Sequence, residues 1–277
     1  MKTITQRPIG LKALSAARQA TLGHIWDKRL TTDPLVFIPK GEKAKGLSPT
    51  EARKANVLFG KFAANYMKKI IARLTDDSDV HRRQKDDKKI VAVGYGRGYD
   101  SKWLRQATKA GFQTWWIDVS SVAWIWATEN LRNQFQAIPH NIPTIHKEPH
   151  VRTFEIQSLL AEPRKAGLDV ASVEIWFLCR LLNCLSTRSA KAVLQEIGRT
   201  ALGSRPDPHK RNVVVIINAL SDHNPSDTGC GGASIVRSKK MILANMSHGA
   251  TRPVEPRFVQ YYQYFGKLVT AMTIMAQ

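Results

Sequence analysis

The sequence predicts a doubly wound α/β fold: a mostly parallel β-sheet that ends in an antiparallel hairpin, preceded by a basic, partly helical N-terminal extension. From residue 90, short apolar runs alternate with helical stretches, which is the pattern of a parallel sheet with helical crossovers. The chain ends in two apolar runs separated only by Gly266-Lys267, which indicates a hairpin. A length of 277 residues with 43 % hydrophobic content is enough for one large core.

The N-terminal part of the chain divides near residue 47. Residues 1–47 are basic and weakly periodic, and the stretch KGEKAKGLSP at 40–49 has the composition of a linker. We therefore predict a basic extension over residues 1–47 and an α/β domain over residues 48–277. Ser48-Pro49-Thr50-Glu51 has the pattern of a capping box, and the apolar residues that follow share one helical face, which predicts an amphipathic helix over about 49–74.

The α/β region is predicted to begin after a charged loop at 76–89. Its strand candidates are Ile90–Val93, Gln113–Ile117, Arg152–Ile156, Val173–Leu178 and Val213–Asn218. Helices are predicted between them at about 100–110, 121–134 and 187–202. The terminal hairpin is predicted over Phe258–Phe265 and Leu268–Ala276.

The net charge is unusual for a chain of ordinary composition. The sequence has 42 Lys and Arg against 22 Asp and Glu, a net charge of +20, with a sequence pI of about 10.1. An excess of this size favours an anionic partner such as RNA, DNA or an anionic membrane face. The alternative is a well-solvated basic surface with no specific partner.

Several protein classes are disfavoured by the same composition. No stretch approaches the roughly 18 consecutive apolar residues of a membrane span, and the N-terminus lacks the pattern of a secretory signal. Three cysteines without CxxC spacing argue for a reducing compartment and against a structural zinc site. We expect a cytoplasmic protein, or a nuclear one if the source is eukaryotic.

The strongest motif is a glycine-rich loop between a predicted strand and a predicted helix, with the sequence VAVGYGRGYD at 91–100. Gly94, Gly96 and Gly98 alternate, so the backbone can take positive φ and approach a ligand closely. The next predicted strand ends in Trp116-Ile117-Asp118-Val119-Ser120, and an acid at that place typically hydrogen-bonds the ribose hydroxyls of a nucleoside cofactor.

The spacing of the glycines discriminates between cofactors. A dinucleotide site has the pattern GxGxxG, whose third glycine would fall at position 99, where this chain has Tyr99. A Walker loop is excluded because the GK[ST] sequence is absent. The pattern GxGxG suits a nucleoside ligand without a pyrophosphate, whose amino-acid tail lies along the loop. A chance glycine turn in a basic protein is the alternative interpretation.

With these motifs, residues 50–277 resemble the class I S-adenosylmethionine (SAM)-dependent methyltransferases. The resemblance implies a seven-stranded sheet with a reversed last strand, and SAM as the cofactor. It also extends to Phe154-Glu155-Ile156, which is similar to the family's third-strand motif at the adenine, and to the stretch VEIWFLCRLLNCLS at 173–186, which is similar to its fourth-strand motif at the transfer cleft.

The resemblance implies a specific set of cofactor residues. They are Gly94, Tyr95, Gly96, Gly98, Asp118, Val119, Glu155, Ile156 and Cys179. The chain departs from the family two residues before the first glycine, where the family often has an acid that contacts the methionine amino group. Ala92 stands there, so the amino group would need another partner.

Catalytic candidates follow the fifth predicted strand, where such folds place their ligands: Asn218, Asp222 and His223. His223 is a possible general base, although a solvated loop histidine is the commoner outcome. No DPPY or NPPY motif is present, and Cys179 lacks the preceding proline of a cytosine-C5 nucleophile. His140, His146 and His150 lie in a proline-rich loop without a cysteine, so we expect no metal site.

The sequence thus predicts a SAM-dependent methyltransferase whose acceptor is RNA or another anionic macromolecule, with the acceptor resting on charge alone. Residues 1–47, together with the helix predicted over 49–74, are expected to help form the acceptor surface because they carry much of the positive charge. Two alternatives stay open: a small-molecule or protein methyltransferase of the same fold, and a methyltransferase-like binding or scaffold protein without catalysis.

Overall fold

The computed structural model of the chain describes residues 11–32, 48–75, 88–96, 98–137, 148–182, 184–203, 212–219, 238–264 and 267–276. Within these ranges the chain forms one seven-stranded sheet with the order β3-β2-β1-β4-β5-β7-β6. The strands are β1 (Lys89–Val93), β2 (Gln113–Asp118), β3 (His150–Thr153), β4 (Val173–Cys179), β5 (Val213–Ala219), β6 (Val254–Tyr264) and β7 (Lys267–Ala276).

The sheet is parallel from β3 through β5 and reverses at its last two strands. β1 pairs with both β2 and β4 in parallel, whereas β7 lies antiparallel to β5 and to β6. The chain crosses back at β1, so the carboxyl ends of β1 and β4 flank the point where the strand order changes direction. Ligands of doubly wound sheets bind at that edge. The predicted fold class, including the terminal hairpin, is confirmed.

The described helices are α1 (Ala16–Thr32), α2 (Pro49–Thr75), α3 (Leu104–Lys109), α4 (Ser121–Gln136), α5 (Ile156–Ala161), α6 (Thr187–Ile197) and α7 (Lys239–Ala250). The helix predicted at 49–74 is confirmed, and its capping box forms: Ser48 N donates to Glu51 Oε2 over 2.7 Å. The helix predicted at 100–110 is a 3₁₀ turn over Ser101–Trp103 followed by α3, and the one predicted at 187–202 ends in a π-helical turn over Gly198–Leu202.

One predicted strand is displaced. The prediction places the third strand at Arg152–Ile156, but β3 covers His150–Thr153 and pairs with β2 from Trp115 to Asp118. The cause is local: the Glu155 carboxylate accepts a hydrogen bond from Ser158 N over 2.9 Å and so starts α5 at Ile156. The apolar residues 154, 156 and 159 are thus a helix entry and not the end of a strand.

Two apolar clusters sandwich the sheet. One lies under α5, α6 and α7 and includes Trp176, Leu194 and Met246, while the other lies under α2, α3 and α4 and includes Met67, Trp103 and Trp116. Successive residues of β1 and β4 alternate between the two clusters, as expected for strands that are covered on both faces. No helix among the described residues is both long enough and apolar enough to cross a membrane.

Candidate functional site

The glycine loop that follows β1 has the conformation that its sequence predicts. Gly94, Gly96 and Gly98 have φ of +72°, +52° and +63°, a backbone conformation that residues other than glycine rarely adopt. Gly94 N donates to Ile117 O over 2.9 Å, and Gly98 N donates to Tyr95 O over 2.8 Å. A Cβ at Gly94 would lie 3.1 Å from Leu181 Cδ1, so the loop also needs glycine for its contact with the segment after β4.

Asp118 joins the end of β2 to the glycine loop. Its Oδ2 accepts from Gly96 N over 3.0 Å and its Oδ1 accepts from Ser120 N over 3.0 Å. Burial raises the pKa of this carboxyl, and the backbone hydrogen bonds from Gly96, Ser120 and Val119 oppose that rise. A carboxylate offers about four acceptor positions, so these three backbone donors leave about one for a hydroxyl of a ligand.

A cavity of about 110 Å³ opens at this edge of the sheet. Seven of the nine predicted cofactor residues line it together: Gly94, Gly96, Asp118, Val119, Glu155, Ile156 and Cys179. Val93, Phe154, Leu181 and Leu185 add apolar wall. The cavity is thus built from the ends of β1, β2 and β4 and from the start of α5.

The remaining two predicted cofactor residues lie beside the cavity and not on its wall. Gly98 turns the loop toward the 3₁₀ helix, where its carbonyl accepts from Ser101 N. The Tyr95 side chain points into the core, edge-on to Trp116 with ring centroids 6.0 Å apart, and its buried hydroxyl has no hydrogen-bond partner among the described residues. Burial raises the pKa of Tyr95 well above its usual value, with Asp118 adding to the rise.

Helix α1 forms a wall of the cavity that the sequence analysis did not identify. Leu22, Trp26 and Leu30 line the cavity from above the sheet edge. Their spacing of four residues places them on one helical face, which is the signal that could have identified them. Gly23 lets the helix approach closely, since a Cβ there would lie 2.9 Å from Val119 O.

Asp27 fixes α1 to the N-terminus of α4. Its carboxylate accepts from Ser120 Oγ and Ser121 Oγ, each over 2.6 Å, and from Val122 N over 3.1 Å. Burial acts to raise the pKa of Asp27, but these hydrogen bonds outweigh it and hold the pKa below its usual value. A negative charge at a helix N-terminus is favourable, so the ionised form of Asp27 holds α1 in place.

A buried acid lies where the glycine loop ends. The Asp100 carboxylate is almost fully buried, accepts a hydrogen bond from the Cys179 thiol and lies close to the Arg180 guanidinium. Burial raises the pKa of Asp100 and raises that of Cys179 well above its usual range. Cys179 is therefore a protonated thiol in a polar cluster, which does not suit a cysteine nucleophile.

Arg180 links this cluster to the cavity. It lines the cavity, has the left-handed φ of +58°, and its guanidinium lies 4.2 Å from the centroid of the Phe59 ring. Its Nη1 donates to Asn56 Oδ1 over 3.3 Å. Left-handed backbone at a residue other than glycine costs of order 1 kcal/mol and is concentrated at functional sites, so Arg180 is a site residue that the motif comparison did not single out.

The catalytic candidates after β5 are only partly within the described residues. Asn218 lies in β5 in register with Thr270 of β7, is fully buried, and is not among the described residues that line the cavity. Asp222 and His223 lie outside the described residues, as do His140 and His146. His150 packs on Trp115, with ring centroids 4.6 Å apart, and contacts Gln113.

Ala92 is part of the core on the α2 side of the sheet. It is fully buried and pairs in register with Trp116 of β2 and Phe177 of β4. An acidic side chain would there enter an apolar cluster. Besides Asp118, a carboxylate that the chain has near the loop is that of Asp100, eight residues after Ala92.

No protein-family model and no curated protein sequence matches the chain. Among solved structures, the O-methyltransferase NcsB1 of neocarzinostatin biosynthesis is similar with 14 % identity and a TM-score of 0.46, over 94 % of this chain and 70 % of that one. The N-terminal domain of EvdMO1 with bound S-adenosylhomocysteine (SAH) has 10 % identity and a TM-score of 0.45, over 77 % and 80 %. A SAM-dependent methyltransferase from Aquifex aeolicus has 16 % identity and a TM-score of 0.43, over 76 % and 98 %.

The strand order of this chain, with its reversed last strand, is the arrangement that the sequence resemblance implied. The chain thus has a doubly wound, mostly parallel seven-stranded sheet that is similar to the sheet of class I SAM-dependent methyltransferases. The roles of individual residues rest on the geometry described above, because the similarity to each of these structures is low.

Proposed function

We propose that this protein is a SAM-dependent methyltransferase whose acceptor is RNA or another anionic macromolecule. One observation carries the first half of the proposal. The glycine loop has three glycines in the left-handed conformation, and its Gly96 N donates a hydrogen bond to the buried Asp118 carboxylate at the end of the neighbouring strand. This arrangement lets a backbone loop and an acceptor for ribose hydroxyls face one cavity at the edge where doubly wound sheets bind nucleosides.

The residues around the cavity suit SAM. The remaining acceptor position of Asp118 would hold a ribose hydroxyl, and the glycine loop would leave room for the methionine chain beside Gly94 and Gly96. Ile156, Leu22 and Trp26 would cover the adenine with apolar surface. Arg180 would provide a cation for the carboxylate of the methionine part.

Methyl transfer needs little chemistry from the protein. When bound, SAM supplies a methyl group that is already activated by the sulfonium. The chain's own residues would align the reactants and exclude water, and alignment alone can contribute several kcal/mol. The apolar wall formed by Leu22, Trp26 and Leu181 serves the exclusion of water. Asn218, Asp222 and His223 stay candidates for contact with the acceptor.

The acceptor half of the proposal is supported by charge. A net charge of +20 attracts polyphosphates over long range and favours release of their counterions. Exposed basic residues lie on α1 at the cavity and on α2, whose one acidic residue is Glu51 against six Lys and Arg.

Titration of the purified protein with SAH tests the cofactor assignment. We expect binding by the full chain, and we expect Asp118→Ala to weaken it by about 10- to 100-fold, because hydrogen bonds to a charged group contribute about 1.5–3 kcal/mol. Asp169→Ala is the matched control, since Asp169 caps the turn over Val170–Ser172 and lines none of the described cavities. The absence of heat and of a thermal shift with millimolar SAH would overturn the proposal.

Retardation of RNA across a range of salt concentrations tests the acceptor class. Binding that falls steeply with ionic strength is expected for an RNA methyltransferase. No retention of RNA at low salt, together with SAH binding, would favour the small-molecule or protein methyltransferase. RNA binding without SAH binding would favour the scaffold alternative.

A further inference from the structure

A second cavity lies next to the candidate cofactor cavity. It is a groove of about 660 Å³ between the segment at 11–22 and the start of α6, within the usual size range of ligand sites. Leu22, Glu155, Cys184 and Leu185 line both cavities, so the groove and the cofactor cavity share a wall. A molecule in the groove would therefore reach the edge of the cofactor site.

The charge of this groove is one-sided. Lys12, Arg18 and Arg188 line it and are exposed, and none of them is in an ion pair with a carboxylate of the described residues. Glu155 is the one acid among the described lining residues, and its carboxylate is buried and occupied by Ser158, whose N and Oγ both donate to Oε2. The groove thus presents three cations without a neutralising anion.

Hydroxyl groups accompany these cations. Ser15, Ser186 and Ser189 also line the groove, and the first turn of α6 contains no acidic residue. Guanidinium and ammonium groups with hydroxyl donors are the set that binds phosphate oxygens, with arginine giving paired hydrogen bonds.

We propose that this groove binds a phosphate group of the methyl acceptor and so holds the acceptor beside the cofactor cavity. The inference rests on the proposed function, and it adds where the acceptor binds and which chemical group of the acceptor is recognised. The same chemistry fits the backbone of an RNA strand and a small phosphorylated molecule, and the two sources differ in the number of phosphates bound.

The test compares two variants that each remove three positive charges. The groove variant is Lys12→Gln with Arg18→Gln and Arg188→Gln. The control variant is Lys102→Gln with Arg105→Gln and Lys109→Gln, on the exposed side of the 3₁₀ turn and α3, none of which lines a described cavity. All proteins are the full chain, and thermal unfolding is recorded for each.

The first probe is a fluorescein-labelled oligouridylate of about ten nucleotides, measured by anisotropy over a series of salt concentrations. Each phosphate contact to a single strand contributes about 0.7 to the slope of log K against log salt, so the groove variant should lose about 2 from that slope. The second probe is ribose 5-phosphate, measured by calorimetry. Binding of this probe that is lost in the groove variant would support the phosphate site and assign it to a small acceptor.

Two results together would overturn the inference: equal losses of oligouridylate binding in the groove and control variants, and no ribose 5-phosphate binding that depends on the groove. Overall charge would then explain the affinity. SAH titration of the same three proteins separates this failure from failure of the proposed function. The groove variant should bind SAH as the unchanged protein does. If the unchanged protein binds no SAH, the cofactor assignment fails, whatever the groove does.

Discussion

At the scale of single residues, the cluster of Asp100, Cys179 and Arg180 buries an ionisable carboxyl group, whereas an uncharged side chain at the same place would avoid the cost of burying a charge. Asp100 is almost fully buried, and the guanidinium close to it is also in contact with Phe59 and Asn56. Removing one member of a buried charged cluster is costly when a charge is left behind, whereas a neutral group of the same shape can be tolerated. The cluster therefore has a stability cost that depends on pH.

Asp100→Asn should reveal this cost. Burial raises the folded-state pKa of Asp100 above its usual value of 3.8. The stability that the protonated carboxyl contributes to the fold is therefore fully present below pH 3.8 and is lost as pH rises through the folded-state pKa. Asn has no such dependence. The melting temperature of the variant relative to the unchanged protein should therefore increase as pH rises from 3.8 towards neutrality, with each kcal/mol visible as about 2–4 °C. A relative decrease over that range would show that the ionised carboxylate stabilises the fold.

At the scale of secondary-structure elements, α2 supports the glycine loop by direct backbone contact. A Cβ at Gly60 would lie 2.3 Å from Tyr99 O, so the helix and the end of the loop touch without a side chain between them. A similar contact joins α6 to α7, where a Cβ at Gly249 would lie 1.8 Å from Gln195 O. The first contact borders the candidate cofactor site, and the second lies behind the sheet.

These two glycines form a matched pair of substitutions. Gly60→Ala and Gly249→Ala should each destabilise the fold by about 1–3 kcal/mol, because the backbones must separate. Only Gly60→Ala should also weaken SAH binding, since it displaces the end of the glycine loop. Thermal unfolding and calorimetry measure the two effects. Equal loss of SAH affinity in both variants would mean that general destabilisation, and not loop position, controls binding.

Helix α1 acts as a cover of the cavity. At about 110 Å³ the cavity is smaller than the roughly 300 Å³ at which ligand pockets begin, so a nucleoside can enter only if part of the wall moves. Leu22, Trp26 and Leu30 form that wall, and Asp27 holds it through hydrogen bonds to the start of α4. The attachment is local and polar, whereas the rest of the site is built on buried strands.

Asp27→Ala should therefore loosen α1 without unfolding the sheet. Amide hydrogen exchange should become faster over residues 16–32 and stay unchanged in β1 and β4, because those amides belong to the core. The hydrogen bonds that Asp27 accepts depress its folded-state pKa, so the stability they provide is present above its usual pKa and lost as pH falls through the folded value. Protection factors over α1 in the unchanged protein, which correct for the intrinsic slowing of amide exchange at low pH, should therefore also fall in acid. Unchanged exchange in the variant would contradict the assigned role of Asp27.

Comparison of particular elements shows which features the sequence could predict. The glycine loop and Asp118 were predictable because positive φ and an acid at a strand end each restrict residue type. The predicted end of β3 was wrong because Glu155 lies between apolar residues that resemble a strand in the sequence, whereas in the structure it caps a helix. The sequence predicted a helical extension, but the bounds of α1 and its position at the cavity were not predicted, since three apolar residues spaced by four give a weak pattern in a basic segment and their burial depends on contacts more than 90 residues away.

At the scale of the whole molecule, positive charge dominates, with 42 Lys and Arg against 22 Asp and Glu. Three ion pairs among the described residues are Lys165 with Glu162, Arg199 with Glu196, and Arg257 with Glu255. All three join neighbours in sequence, and their cationic partners are exposed, so each contributes little to stability. A net charge of +20 at the same time destabilises the compact state by self-repulsion.

Salt should therefore stabilise this protein while it weakens binding of RNA. Raising sodium chloride from about 20 to 200 mM shortens the Debye length from roughly 20 to 7 Å, which screens repulsion between surface charges more than it weakens these short local pairs. The melting temperature should rise over that range, and it should rise less in the groove and control variants, whose net charge is +17 because each removes three cations from +20. Thermal unfolding at a fixed pH and a series of salt concentrations measures this. A fall in melting temperature with salt would show that attractive ion pairs outweigh repulsion. The positive charge would then stabilise the fold itself, which would argue against a surface that serves an anionic partner.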